Sequence, residues 1–182
     1  MAEKIPTEAQ LLRRLRRAGL EAPRRVVLAI TNRCNLRCDH CWPESGPDEA
    51  APVVPKASAS RLIDAMVALG ATRITLTGGE PLTHPDWVDL LAHACACPGV
   101  EEVCLQTNAI LIGPDEAQTL SRLGAGRLVI QTSLEGASAP VHDRVRGRGS
   151  FDQTLRGLGR LVARGLAGQI CVTFTEMAHN FG

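Results

Sequence analysis

The 182-residue sequence is poor in aromatic side chains, with three Phe, two Trp and no Tyr. A platform on which single-stranded bases stack is therefore not expected. The sequence also lacks an excess of one charge. Lys plus Arg number 20 and Asp plus Glu 19, a net charge of +1, whereas nucleic-acid binders usually carry a strong basic surplus. No nucleic-acid partner is expected. Long apolar runs are missing too: Val26 to Ile30 is far too short to cross a bilayer. Arg13, Arg14, Arg16 and Arg17 interrupt Leu11 to Leu20, so the N-terminus shows no secretory h-region. No membrane partner is expected, and the cytoplasm is the expected location. The seven cysteines, an odd number without a signal peptide, do not suit a disulfide framework.

What is present is an ordinary globular composition, 45% hydrophobic and 21% charged, in a chain long enough for one sizeable core. The charge is uneven. Residues 1–25 hold seven basic and three acidic side chains, which predicts a basic leader helix over 1–24 packed outside a core domain over 25–182.

From residue 25 short apolar runs alternate with helical periods. Strands are expected at Val26 to Ile30, Arg73 to Thr77, Val103 to Thr107, Leu128 to Thr132 and Ile170 to Thr175. Between them lie four helical stripes. The first is Leu62, Met66 and Leu69, with Ser58 or Ser60 as N-cap and Gly70 as stop. The second is Trp87, Leu90, Leu91 and Ala94. The third is Ala117, Leu120 and Leu123, ending at Gly124. The fourth is Phe151, Leu155, Leu158 and Val162, capped by Ser150 and closed by Gly165. Strict alternation at about 30 residues per step implies parallel strands with right-handed helical crossovers.

Small or polar residues follow each of the first four strands: Thr31-Asn32, Gly78-Gly79-Glu80, Thr107-Asn108 and Ser133-Leu134-Glu135-Gly136. Parallel strands bring such turns to one end of the sheet, where α/β folds place their sites. The first turn leads into Cys34-x3-Cys38-x2-Cys41. Three thiolates on one loop can hold three irons of a cubane cluster and leave the fourth iron open. The same residues with His40 or Asp39 could hold zinc. On a helix the three cysteines would share one face, but Asn35, Asp39 and Pro43 favour a loop. Cys95, Cys97, Cys104 and Cys171 are expected to be buried small hydrophobes, with Cys95-x-Cys97 a weaker metal candidate. His142-Asp143 reads as a loop pair.

The cysteine spacing after the first strand and Gly78-Gly79-Glu80-Pro81 after the second resemble the radical S-adenosylmethionine (SAM) superfamily. Thr107-Asn108 and the stretch from Ser133 to Ser150 fit the branch that often carries a SPASM or twitch domain. The resemblance implies a partial (β/α)6 TIM-like barrel, with about five βα units present. It implies a [4Fe–4S] cluster on Cys34, Cys38 and Cys41. It also implies SAM contacts from His40, Gly78, Gly79, Glu80, Asn108, Ser133, Glu135 and Arg146. In that reading Glu80 accepts from the methionine ammonium, Gly78 and Gly79 let backbone approach the ligand, and Arg146 faces the carboxylate. Ser133, Glu135 and Asn108 reach the ribose or the methionine end. The implied chemistry is reductive cleavage of SAM to a 5′-deoxyadenosyl radical that takes hydrogen from a substrate. A ferredoxin- or flavodoxin-like donor would supply the electron, and the substrate would be a small molecule or peptide. The resemblance also leads one to expect a sixth βα unit and further cysteines beyond Gly182, so the chain reads as a partial one. A non-catalytic metal- or SAM-binding fragment and a zinc-binding interaction module are the rival readings.

Overall fold

The structure is a computed structural model that describes residues 8–123, 126–178 and 180. Five strands, β1 (Arg25–Thr31), β2 (Arg73–Gly78), β3 (Glu102–Gln106), β4 (Leu128–Ser133) and β5 (Ile170–Thr173), form one parallel sheet. Their spatial order is their chain order. A doubly wound sheet reverses direction part-way across; a sheet that only advances belongs to the TIM-like class. The fold is thus the expected α/β partial barrel.

The helices are α1 (Glu8–Arg17), α2 (Lys56–Ala68), α3 (Trp87–Ala96), α4 (Pro114–Leu123), α5 (Ala139–Arg146) and α6 (Ser150–Ala163). The strands alternate. Leu28 and Ile30, Ile74 and Leu76, Val103 and Leu105, and Leu128 and Ile130 are buried in one core with Ile63, Leu90, Leu91, Leu120 and Leu161 from the helices. Each such side chain contributes about 1.5–3 kcal/mol when fully buried. Val27, by contrast, is 60% exposed. Among the described residues no helix is long and apolar enough to cross a membrane.

Several local expectations need correction. Helix α2 begins at Lys56, with Pro55 in the cap position and no side-chain cap bond, so Ser58 and Ser60 lie inside the helix. Its buried positions are Ala59 and Ile63, while Leu62 is exposed. Helix α6 is shifted likewise. It buries Ser150, Thr154, Gly157 and Leu161, whereas Leu155 and Val162 are exposed. The reason is close packing on the turn after β3. A Cβ on Gly157 would stand 2.0 Å from the Ala109 carbonyl oxygen, and Thr154 Oγ1 donates to Asn108 O at 3.0 Å.

Nor does Ser150 cap α6 with its own side chain; Gly149 holds the cap position. Asp143, on α5, accepts from Gly149 N, Ser150 Oγ and Phe151 N at 2.6, 3.1 and 2.9 Å. His142-Asp143 is therefore helical, not a loop pair. Of the four isolated cysteines only Cys97 and Cys104 are buried; Cys95 is half-buried and Cys171 exposed. Cys171 lies on β5, which among the described residues pairs with β4 alone. Residue Gly124, the expected stop of α4, and residues 1–7 of the expected leader lie outside the described residues. Asn180 sits in a turn.

Candidate functional site

The segment from β1 to α2 folds back on itself by backbone bonds. Asn32 N donates to Pro52 O at 2.8 Å, Cys34 N to Gly46 O at 3.0 Å, and Val54 N to Ile30 O at 2.9 Å. Ser45 Oγ donates to Asn32 Oδ1 at 2.7 Å. A further bond, Asp39 N to Val145 O at 2.9 Å, ties the cysteine loop to α5. Backbone bonds therefore fix the loop against its own chain and against α5.

Gly78 and Gly79 do more than the sequence suggests. Gly78 has φ +150, and a Cβ there would stand 2.2 Å from Thr31 O; at Gly79 it would stand 2.3 Å from Arg33 O. These clashes are with the cysteine loop itself. The glycines let the turn after β2 dock on that loop, where Gly79 N donates to Thr31 O at 2.8 Å and Glu80 N to Arg33 O at 2.7 Å. They also line the cavity described below.

Glu80 is not among the residues that line that cavity. Its side chain has no solvent exposure, and it stands behind the cavity wall. Its Oε1 accepts from Leu82 N at 3.1 Å and Thr107 Oγ1 at 2.8 Å, and its Oε2 from Asn108 N at 2.7 Å. These bonds knot the turns after β2 and β3. Burial pushes the carboxyl up to about 7 against the pull of those three donors. Asn108 faces the cavity, and its Nδ2 donates to Asn35 Oδ1 of the cysteine loop at 2.7 Å.

Glu135 is likewise unexposed and does not face the cavity. Its Oε1 accepts from Arg146 Nε and a terminal nitrogen at 3.0 and 2.7 Å. Its Oε2 accepts from Thr175 N at 2.9 Å. Through these bonds Glu135 orients Arg146, which lines the cavity. His142 supports the arrangement: its Nδ1 accepts from Glu135 N at 3.1 Å. Burial, then Arg146, hold its pKa below the usual range. Ser133 pairs with Thr173 Oγ1 at 3.0 Å and does not line the cavity. His40 does line it, with Nε2 3.4 Å from Glu135 Oε1 and Nδ1 buried without a partner. Helix α5, which carries Arg146 and His142, was missed by sequence reading; Pro140 after Ser138 was the available signal.

The cavity holds about 250 Å³, and Cys34, Cys38, Cys41, His40, Gly78, Gly79, Asn108 and Arg146 are among its lining. Burial pushes the Cys34 thiol up to about 11. Burial also raises Cys38, and the Arg146 charge partly offsets this. Metal ligation requires thiolates, so a bound cation must supply the missing stabilisation. A tetrahedral zinc with bonds of about 2.3 Å needs sulfurs about 3.8 Å apart. The three thiols are not such a set: among the described residues the ligand atoms that gather within 4.8 Å belong to other side chains. Three thiols that line one cavity suit a multi-iron cluster. The Arg146 cation and the unpaired His40 nitrogen add complements for a carboxylate and a hydrogen-bond donor or acceptor.

A family model described as the Radical SAM superfamily matches residues 28–178. Mycofactocin maturase MftC of Mycobacterium tuberculosis (strain CDC 1551 / Oshkosh) is 37% identical over 161 residues, 87% of this chain and 39% of that protein. GTP 3′,8-cyclase of Chlorobaculum tepidum is 33% identical over 138 residues, 76% of this chain and 41% of its own. The chain thus spans about two-fifths of the length of these curated relatives. Streptococcus suis SuiB bound to S-adenosylmethionine superposes with a TM-score of 0.70 at 21% identity, over 84% of this chain and 35% of that one. SuiB bound to precursor peptide SuiA gives 0.69 at 18% identity, over 91% and 38%. At these identities SuiB speaks to the fold.

Proposed function

This chain belongs to the radical SAM superfamily, and from that premise we propose that it forms the SAM-cleaving core of an enzyme that takes a hydrogen atom from its substrate. The family's cofactors are a [4Fe–4S] cluster and SAM, and the residues present fit both. One observation carries the reading: three thiols, the Gly78-Gly79 backbone and an arginine fixed by a buried glutamate share one cavity.

Bound together, the reduced cluster and SAM supply one-electron cleavage of the sulfonium to methionine and a 5′-deoxyadenosyl radical. The chain's own residues do the rest. Cys34, Cys38 and Cys41, once deprotonated, would hold the cluster. Arg146, its Nε side held by Glu135, offers its remaining donors to the methionine carboxylate; its planar fork matches that group. Asn108, braced on Asn35, offers its polar edge to the same ligand. His40 Nδ1 is poised for a polar atom of the nucleoside. Glu80 holds the turns after β2 and β3 in place around the ligand. Beside this site a cavity of about 380 Å³ is lined by Val27, Ala29, Thr77, Gln106 and Trp42, and it accepts the substrate.

The expected donor is a ferredoxin- or flavodoxin-like protein in a reducing compartment. Iron and sulfide loading under anaerobic conditions, followed by dithionite, is expected to yield 5′-deoxyadenosine and methionine from SAM. Cys38→Ala is expected to abolish both the cluster absorbance and the product. A chain that binds iron stoichiometrically yet releases no deoxyadenosine overturns the reading. Reduced flavodoxin replacing dithionite is the test of the donor class. The substrate class we favour is a peptide, because the MftC relative is a maturase and SuiB is solved with a precursor peptide. Deuterium passing from perdeuterated peptides into 5′-deoxyadenosine supports this; transfer from nucleotides alone overturns it.

A further inference from the structure

The helical layer carries a second set of ligating side chains, none of which lines either cavity. Asp64 is on α2, His93 is on α3, and Cys97 is the residue that caps α3. His93 and Cys97 stand at i and i+4, so the ring and the thiol share one helix face. Asp64 reaches across from the neighbouring helix, its Oδ1 standing 2.7 Å from His93 Nε2. One ligand atom from each of the three residues lies within 4.8 Å of the other two.

We propose that Asp64, His93 and Cys97 form a zinc site that pins α2 to α3, with a water completing the coordination. Carboxylate, imidazole and thiolate are the ligand types zinc accepts together, and three protein ligands plus water is a known coordination pattern. Bonds of about 2.0–2.3 Å put tetrahedral ligand atoms about 3.3–3.8 Å apart. The adjustment needed is small, and the side chains that make it are free to move: Asp64 is 58% exposed and His93 36%. Solvent reaches the site from their side, which gives the ion an entry path, while Cys97 forms the buried floor.

Charge fits as well. Burial, then the Asp64 charge, push the Cys97 thiol above its ordinary pKa. A coordinated thiol is deprotonated outright, and thiolate plus carboxylate neutralise the dication while the imidazole stays neutral. The Cys97 proton, now donated to His93 O at 3.3 Å, leaves on binding. Cys95, the partner that the Cys95-x-Cys97 spacing suggests, is not in the set. It packs against the core, where burial raises its thiol pKa and the Arg127 charge partly offsets this.

The test uses cluster-loaded protein, so that Cys34, Cys38 and Cys41 are occupied, and inorganic zinc as the probe. After zinc addition and desalting, elemental analysis is expected to find one zinc per chain beside the iron. Competition with a chromophoric chelator is expected to show affinity falling at least tenfold in Asp64→Asn and in His93→Gln, and unchanged in Cys95→Ser. Asp64→Asn alters an exposed side chain and His93→Gln a half-buried one, and circular dichroism and the melting midpoint of each variant without zinc check that both fold. A Cys34→Ala/Cys38→Ala/Cys41→Ala chain is expected to keep its one zinc, and cobalt in its place is expected to show thiolate-to-metal absorbance that Cys97→Ser removes. No retained zinc, or zinc retained equally by Asp64→Asn and His93→Gln, overturns the site and leaves an ordinary ion pair between two helices. Because the triple variant needs no SAM chemistry, the result is independent of the proposed reaction.

Discussion

Glu80 and Glu135 are both carboxylates with no solvent exposure, and the protein holds them in opposite ways. Glu80 is met by three neutral donors, two backbone N–H groups and the Thr107 hydroxyl. Glu135 is met by a cation, Arg146, and one backbone N–H. The first arrangement ties two loops and leaves a carboxyl pushed up to about 7. The second ties an element to a charge and turns that charge toward the cavity. Two residues of one type, each following a strand of the same sheet, therefore divide into a knot and a positioning device. What decides the role is the donor set that each meets.

The largest effect is expected at Glu135. Glu135→Ala leaves Arg146 partly buried without its partner, and breaking such a pair costs about 3–5 kcal/mol. In a chain of this size each kcal/mol lowers the melting midpoint by about 2–4 °C, so calorimetry reads the result directly. Glu135→Gln keeps the shape and loses the charge; it is expected to weaken SAM binding more than it weakens the fold. A Glu135→Gln chain that binds SAM like the parent denies Glu135 its positioning role.

Glu80→Ala comes next. Three donors lose their acceptor, at about 1–3 kcal/mol per unsatisfied group, but relief of carboxylate burial offsets part of this. The net expectation is about 2 kcal/mol in denaturant melts. Its pH dependence separates Glu80 from a charge-paired group. The folded value of about 7 lies above the ordinary 4.5, so the folded state binds the proton more tightly. That stabilisation is complete at low pH and is lost as pH rises from about 4.5 through about 7. Glu80→Gln is expected to flatten this slope. An undiminished slope in Glu80→Gln assigns it to other groups.

The contrast between these two carboxylates was not legible in the sequence, although the site's location was. Cysteine is rare and its spacing is chemical, so Cys34, Cys38 and Cys41 announced themselves. The five strands were legible because β-branched runs recur at a regular interval. Side-chain direction carries no such signature. Glu80 and Glu135 both follow a strand, and only the folded turns reveal that each looks inward to protein donors. Helix α5 has just two buried residues, His142 and Val145, so it shows no apolar stripe. In α2 and α6 the buried faces are built partly from Ala59, Gly157 and Thr154, small residues that leave room for a close neighbour and score as weakly apolar. A hydrophobic count then selects the wrong face by about one position.

The smallest effect, and the most discriminating, is expected at Thr107→Val. The substitution removes one of the donors to Glu80 and also the acceptor of Ala109 N at 3.0 Å. With two hydrogen bonds gone, at about 0.5–1 kcal/mol net each, its cost is about 1–2 kcal/mol. A hydroxyl donates more strongly to a carboxylate than to a neutral carboxylic acid. The cost of Thr107→Val is therefore expected to be larger at pH 8 than at pH 5, on either side of the value near 7. With one donor gone, burial also acts against weaker opposition, so the midpoint of the pH profile is expected to move up. Paired denaturant melts of parent and variant at the two pH values measure both effects. Equal costs at pH 5 and pH 8 would mean that Glu80 keeps one protonation state throughout, and the distinction between it and Glu135 would then lie in geometry alone.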